Sequence, residues 1–416
     1  MKRLETTALQ RGDIILSTTT EPVSKAIRVG TKSDISHAMI YVQHSSVIDA
    51  TNDGVHARNT QRLFFDDKCS LHVFRLKAGL SSAQAQTICQ FVRQRVGSEY
   101  SIKEAIRTVV GRSDQWTRKQ FCSRLVAQAY AAGGIQLVGD PNYCSPADLA
   151  KSPLLAAIQN ATEIVSSEEA ARWACHTDAT QAMRDAINHV LQGARKKDKD
   201  IQTFEDVIQH LIHHPEDDGY VLDLLSKSGY LTVWQIDTDK SGWQYDDELI
   251  TRIPRADCEQ YCMNTFRDEG TGPNRYIINR GQFASLSKRF GLTSFERLLD
   301  LFDLLAALHR QRVAVATRWL QANDLIAPQL DKVLIPHSQE WFAAQELWDP
   351  PKVAQTKFMI EAVGRTDVCS MCADDPARDY RLAEAFRPPG GADTLRLCED
   401  CLIIRQACGD PFEPME

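Results

Sequence analysis

The sequence predicts an α+β N-terminal domain, then a mostly α-helical stretch, then a small cysteine-bearing module. Three features predict this. Residues 13–76 hold short β-branched runs broken by turn residues. Apolar residues then recur at helical spacing through 82–132 and much of 156–350. Two C-x-x-C pairs stand close together near the C-terminus.

The strands are taken in order. Asp13-Ile14-Ile15-Leu16-Ser17 follows Gly12. His37-Ala38-Met39-Ile40-Tyr41-Val42 comes next, then Ser46-Val47-Ile48-Asp49-Ala50. Gly54-Val55-His56-Ala57 follows the turn residues Asn52-Asp53, and Leu71-His72-Val73-Phe74-Arg75-Leu76 closes the set. An antiparallel meander is the simplest arrangement. Ser81-Ser82-Ala83-Gln84 has capping-box spacing, with Leu80 placed as a staple, and opens a helix through Ile88, Val92 and Val96 that Gly97 stops. A second helix runs from about Phe121 to Ala132, ended by Gly133-Gly134. Further on, Ser167 to Gly193 reads as one helix. Thr293-Ser294-Phe295-Glu296 caps another, whose buried stripe is Leu298, Leu301, Phe302, Leu305 and Leu308. Lys196-Lys197-Asp198-Lys199-Asp200 reads as an exposed loop, and Asp349-Pro350-Pro351 as a boundary. The domains expected are therefore 1–155, 156–350 and 351–416.

At 416 residues the chain exceeds one ordinary core. Its apolar and charged fractions, 43% and 25%, are those of a globular protein. No apolar run is long enough to span a membrane, and Met1-Lys2-Arg3-Leu4-Glu5-Thr6 has no signal core, so a cytoplasmic location is expected unless a secretion system delivers the protein. Residues 1–160 hold 20 basic and 13 acidic side chains, the remainder 28 and 42. So small a basic excess reads as ordinary solvated charge, and nucleic-acid binding is not expected. H-E-x-x-H, Walker-type glycine loops and G-x-S-x-G are missing, which removes the metalloprotease, P-loop and serine-hydrolase readings.

Chemistry points to Cys122 and His37. A cysteine at a helix start gains thiolate character from the helix N-terminus, and an adjacent imidazolium adds to it. A third polar group usually orients the imidazole. Asp49 lies on the next predicted strand, across a short turn at Gln43-His44-Ser45-Ser46. Parity does not prove that it faces His37, because the turn intervenes. A lone cysteine at a helix start is more often a buried small hydrophobe, so the constellation, not the cysteine, carries the reading.

Residues 1 to about 155 resemble the permuted papain-like cysteine hydrolases, the YebB/YiiX-like branch of the NlpC-type peptidases related to lecithin retinol acyltransferases. The matching pieces are Arg11-Gly12-Asp13-Ile14-Ile15, Ser36-His37-Ala38, Val47-Ile48-Asp49-Ala50, Gly97-Ser98-Glu99-Tyr100, Phe121-Cys122-Ser123-Arg124-Leu125-Val126 and Ser145-Pro146-Ala147-Asp148-Leu149-Ala150. The histidine precedes the cysteine, the reverse of papain's order. The resemblance implies a nucleophile at Cys122, a base at His37 and an orienting group at Asp49; Tyr100 sits where the family carries an aromatic before the nucleophile, as a residue of the substrate cleft or, the commoner case, of the core. The backbone N–H of Cys122 is available for an oxyanion. The expected activity is cysteine-dependent hydrolysis of a peptide, amide or ester through an acyl-enzyme. An acyltransferase or phospholipase acting on acyl lipids, and a catalytically dormant binding protein, are the alternatives. Asp13 is expected to be structural.

Cys369-Ser370-Met371-Cys372 and Cys398-Glu399-Asp400-Cys401 form two knuckles with twenty-five residues between them. Four thiolates so spaced suit a closed, structural zinc site in a zinc ribbon or treble clef, with Arg381, Arg387 and Pro388-Pro389-Gly390-Gly391 between the pairs. The acidic residues around it favour protein contact over phosphate binding, and no cofactor is expected for catalysis. Cys258 and Cys262 read as core residues.

Overall fold

The computed structural model describes residues 1–18, 33–100, 119–175, 178–269, 275–326, 333–387 and 393–415. The chain divides into two compact units, Met1–Ile236 and Asp237–Glu416.

The first unit contains β1 (Lys2–Leu4), β2 (Ile14–Ser17), β3 (His37–Gln43), β4 (Ser46–Thr51), β5 (Gly54–Asn59), β6 (Leu71–Leu76), β7 (Leu155–Ala157) and β8 (Thr162–Ile164). Six of these make one antiparallel sheet in the order β5-β4-β3-β2-β6-β7, and β1 pairs with β8. The expected meander holds from β2 to β5. It ends there, because β6 returns to the free edge of β2 and pairs Ser17 with Leu71 and Ile14 with Phe74. The apolar runs of both parities have a simple cause. One face of the sheet packs Ile14, Leu16, Ala38, Ile40, Ile48 and Ala50 against helices. The other packs Ile15, Met39, Tyr41 and Val47 against Leu4, Leu9 and Phe65. A strand buried on both faces loses the alternation of a half-exposed one.

Helix α1 (Ser82–Gln94) begins at the capping box read from the sequence: Gln84 N–H donates to Ser81 Oγ at 3.2 Å, and Ser81 N–H to Gln84 Oε1 at 3.0 Å. Helix α2 (Cys122–Ala132) has Phe121 as N-cap, with no side-chain cap bond. Both helices bury Ile88, Val92, Leu125 and Val126 in one cluster with the sheet. A short helix α3 (Pro146–Ala150) follows, capped reciprocally by Ser145 and Asp148. The stretch read as one helix from Ser167 is two, α4 (Ser167–Ala174) and α5 (Ala179–Ala194). Asp178 accepts from Thr180 N–H at 3.0 Å and starts the second afresh. Helices α6 (Phe204–His213) and α7 (Asp218–Lys227) complete the part of this unit that bears on the site.

The second unit holds α8 (Arg255–Glu269), α9 (Arg275–Phe290) and α10 (Thr293–Ala322). Cys258 and Cys262 lie in an apolar cluster with Val315, Ala316 and Leu320, as expected for core residues. The N-cap of α10 is Leu292 and makes no side-chain bond, so the expected Thr293 cap is replaced by a helix that begins one residue earlier than a hydroxyl cap requires. Along its predicted stripe Leu298, Leu301 and Phe302 are buried, whereas Leu305 and Leu308 are only partly so. Helices α11 (Gln339–Trp348) and α12 (Pro350–Val363) come next. Asp349 accepts from Lys352 N–H, so Asp349-Pro350-Pro351 opens a helix rather than a linker; proline suits a first turn, where its missing N–H costs nothing. Strands β9 (Arg378–Leu382), β10 (Thr394–Leu397) and β11 (Phe412–Pro414) form a sheet in the order β10-β9-β11, and α13 (Glu399–Ala407) follows β10. Pro388-Pro389-Gly390-Gly391 lies outside the described residues.

Candidate active site and candidate metal centre

Cys122 is the first residue of α2, and His37 the first of β3. The two meet at these element ends, close enough for Cys122 to help raise the His37 imidazole. Cys122 is 3% exposed, and its backbone N–H belongs to the helix turn that has no intrahelical acceptor. His37 Nε2 donates to Asp49 Oδ2 at 2.8 Å. Asp49 stands opposite Met39 in the β3–β4 register, and His37 lies two residues before Met39, so the pair shares one side of the sheet. A register shift between Tyr41 and Gln43, with Gln43, His44 and Ser45 all at positive φ, is what hid this from parity.

Burial works against a charged His37. The hydrogen bonds and charges of Asp49 and Cys122 outweigh it and raise the imidazole to about 10. The Asp49 carboxyl is also buried, yet it is held below its ordinary value by the His37 hydrogen bond and by Arg58. The ring therefore stays an imidazolium through neutral pH, between a carboxylate and a sulfur.

Sequence reasoning gave no role to three neighbours of the site. Arg58 on β5 donates from Nε to Asp49 Oδ1 at 3.0 Å and to Oδ2 at 2.9 Å. The two-residue turn Asn52-Asp53 fixes Asp49 opposite His56, which puts Arg58 on the same face; that turn was the available signal. Arg124 is wholly buried. Its Nε donates to the Asn142 carbonyl at 2.9 Å and its Nη1 to the Lys119 carbonyl at 2.8 Å, and the guanidinium lies 4.4 Å from the Phe121 ring. Ser123 Oγ donates to the Cys144 carbonyl at 2.6 Å. These bonds tie the start of α2 to the loop that enters α3.

The remaining matched pieces have structural explanations. Tyr130 on α2 donates to the Gly12 carbonyl at 2.6 Å, and Gly12 has φ +89 with Leu80 where a Cβ would stand. Asp13 accepts from Arg75 Nε and Nη2 at 2.8 and 2.7 Å and from Gln10 N–H at 2.8 Å, so it braces the turn into β2. Tyr100 is half-buried against the helix-side core, and its backbone bridges Gln120, two residues before Cys122.

Cys369, Cys372, Cys398 and Cys401 converge, with their sulfurs all within 4.8 Å of one another. Cys372 Sγ lies 3.5 Å from both Cys398 Sγ and Cys401 Sγ. A tetrahedral centre with metal–sulfur bonds of about 2.3 Å has sulfur–sulfur edges of about 3.8 Å, so the cluster has the size a metal requires. Cys398 is the N-cap of α13 and Cys401 lies in its first turn, while the first pair precedes β9. The apolar surroundings reach back to Leu334 and Trp341, whose indole Nε1 donates to the Thr394 carbonyl at 2.8 Å.

A cysteine at a helix start stands beside a hydrogen-bonded histidine and aspartate on two neighbouring strands, in the chain order histidine, aspartate, cysteine. Residues 8–172 match the family profile of the permuted papain-like amidase enzymes, YaeF/YiiX, C92 family, so the resemblance read from the sequence holds for this part of the chain. The uncharacterized protein YiiX of Escherichia coli (strain K12) is 26% identical over 154 residues, covering 36% of this chain and 71% of that protein. The crystal structure of metalloprotein yiiX from Escherichia coli O157:H7 is similar over 36% of this chain and 96% of that one, with 20% identity and a TM-score of 0.24. Among the described residues, no helix is long and apolar enough to cross a membrane.

Proposed function

We propose that this chain is a cysteine-dependent amidase or peptidase that works through an acyl-enzyme on Cys122. One observation carries the reading: His37 is hydrogen-bonded to a buried carboxylate, and a cysteine at a helix N-terminus stands close enough to help raise its imidazole. The Cys122 thiolate attacks the acyl carbon, and a carbon–sulfur bond forms as the carbonyl π pair moves to oxygen. The N–H groups at the start of α2, that of Cys122 among them, receive the oxyanion. His37 gives its proton to the leaving nitrogen as the carbon–nitrogen bond breaks. Water then attacks the thioester, His37 takes its proton, and the carboxylic product leaves as the sulfur is released. Asp49 keeps the ring in place throughout and does not itself become protonated. Tyr100, whose backbone bridges Gln120 two residues before the nucleophile, borders the cleft.

Catalysis belongs to residues 1–155, and the helices that follow serve substrate access or partner binding. The four cysteines hold one structural zinc. A pair at the start of a helix favours the treble clef over the ribbon. With four protein ligands such a site has no open position, so zinc contributes folding energy and takes no part in hydrolysis.

The test is to trap the acyl-enzyme from cell extract and read the Cys122 peptide by mass spectrometry, with Cys122→Ala as control. A peptide or amino-acyl adduct is expected. A fatty-acyl adduct would transfer the assignment to lipid acyl chemistry, and no adduct under any extract would leave a dormant binding module.

A further inference from the structure

Asp49 is 2% exposed, and a buried carboxylate stays ionised only when its oxygens are paired. His37 Nε2 occupies one lone pair of Oδ2. Arg58 Nε spans both oxygens, and its Nη2 donates to Thr51 Oγ1 at 3.3 Å, two residues along β4 on the same face. The guanidinium is thus anchored to the strand that carries Asp49 as well as to the carboxylate.

The charged and titratable groups around Asp49 come from several elements. His37 faces it from β3, with Cys122 of α2 beyond the ring. Arg58 and His56 face it from β5. His56 is buried and donates from Nε2 to the Asp53 carbonyl, and burial holds it below its ordinary value, so it brings no positive charge. Arg184 on α5 acts on His56 but pairs with Asp53, at 4.0 Å. Among the described residues, the His37 ring and Arg58 are the groups that pair directly with Asp49, and Arg58 is the one whose charge does not titrate near neutral pH.

We propose that Arg58 is a positioning residue of the site: it locks Asp49 as a permanent acceptor for His37 Nε2–H, and so holds the ring beside Cys122. The inference rests on Cys122 and His37 being the reacting pair. Without the guanidinium, a buried Asp49 relieves its desolvation by taking a proton, and a protonated carboxyl no longer compels the ring to donate. Arg58 acts through Asp49 and touches no substrate.

The test is the rate of Cys122 alkylation by iodoacetamide on the full chain across pH, read by peptide mapping. Arg58→Gln should move the acid limb of the profile upward by about one pH unit, with rates rejoining the unsubstituted protein above about pH 8, where Asp49 is ionised in both. Arg58→Lys, which keeps the charge but not the span across both oxygens, should shift it less. It also carries the test if the glutamine variant fails to fold. In an Asp49→Asn background, Arg58→Gln should change nothing further. Arg58 profiles that superimpose on the unsubstituted protein, an equal loss at every pH, or a further loss in the Asp49→Asn background would each overturn the proposal. An unchanged rate in His37→Ala would instead overturn the reacting pair itself.

Discussion

Asp13 and Asp49 are both aspartates buried in the first unit beside an arginine, yet they serve different ends. Asp49 is shared between an arginine and a titrating ring, whereas Asp13 binds only Arg75 and a backbone N–H and holds a turn. Burial raises the Asp13 carboxyl despite Arg75, which measures how much that arginine must offset. Arg75→Ala would leave Asp13 uncompensated and is expected to cost about 3 kcal/mol of stability, read as a drop in the denaturation midpoint without direct contact with the site. Cys122, His37 and Asp49 were legible because each sits at a recognisable element boundary or in a matched piece. Arg58 and Arg124 were not. An arginine in a strand or helix reads as a solvated charge until register and packing reveal what it faces.

At the scale of elements, the strands and first helices followed the sequence closely because turn residues and caps mark their ends. Two failures have different causes. The return of β6 to β2 is a non-local pairing that no local pattern encodes, and the break at Asp178 depends on one side-chain cap inside an otherwise continuous helical pattern. The packing of α5 on the loop before Tyr100 was also invisible. Gly97, at φ +91, donates to the Val55 carbonyl at 2.9 Å and accepts from Arg195 Nη2 at 3.0 Å, and a Cβ there would meet Leu191 Cδ1 at 2.2 Å. Gly97→Ala combines a left-handed backbone with a clash. It should destabilise by about 2 kcal/mol and loosen α5, measured as faster amide exchange through 186–194.

At the scale of the molecule, the chain joins two chemistries that should be separable. If zinc is structural, each chain binds one equivalent, measured by elemental analysis, and Cys369→Ser with Cys398→Ser abolishes it. Chelation should unfold the region around Trp341 while Cys122 keeps its reactivity; loss of both together would place the metal in the reaction. The proposed chemistry depends on the start of an early strand meeting the start of a much later helix. The most direct measurement is an NMR titration of histidine-labelled protein. The His37 ring should ionise near pH 10, and its midpoint should fall in Cys122→Ala, because Cys122 helps hold that proton. A midpoint at the ordinary value of about 6.5, unchanged by Cys122→Ala, would contradict the pairing and the function built on it.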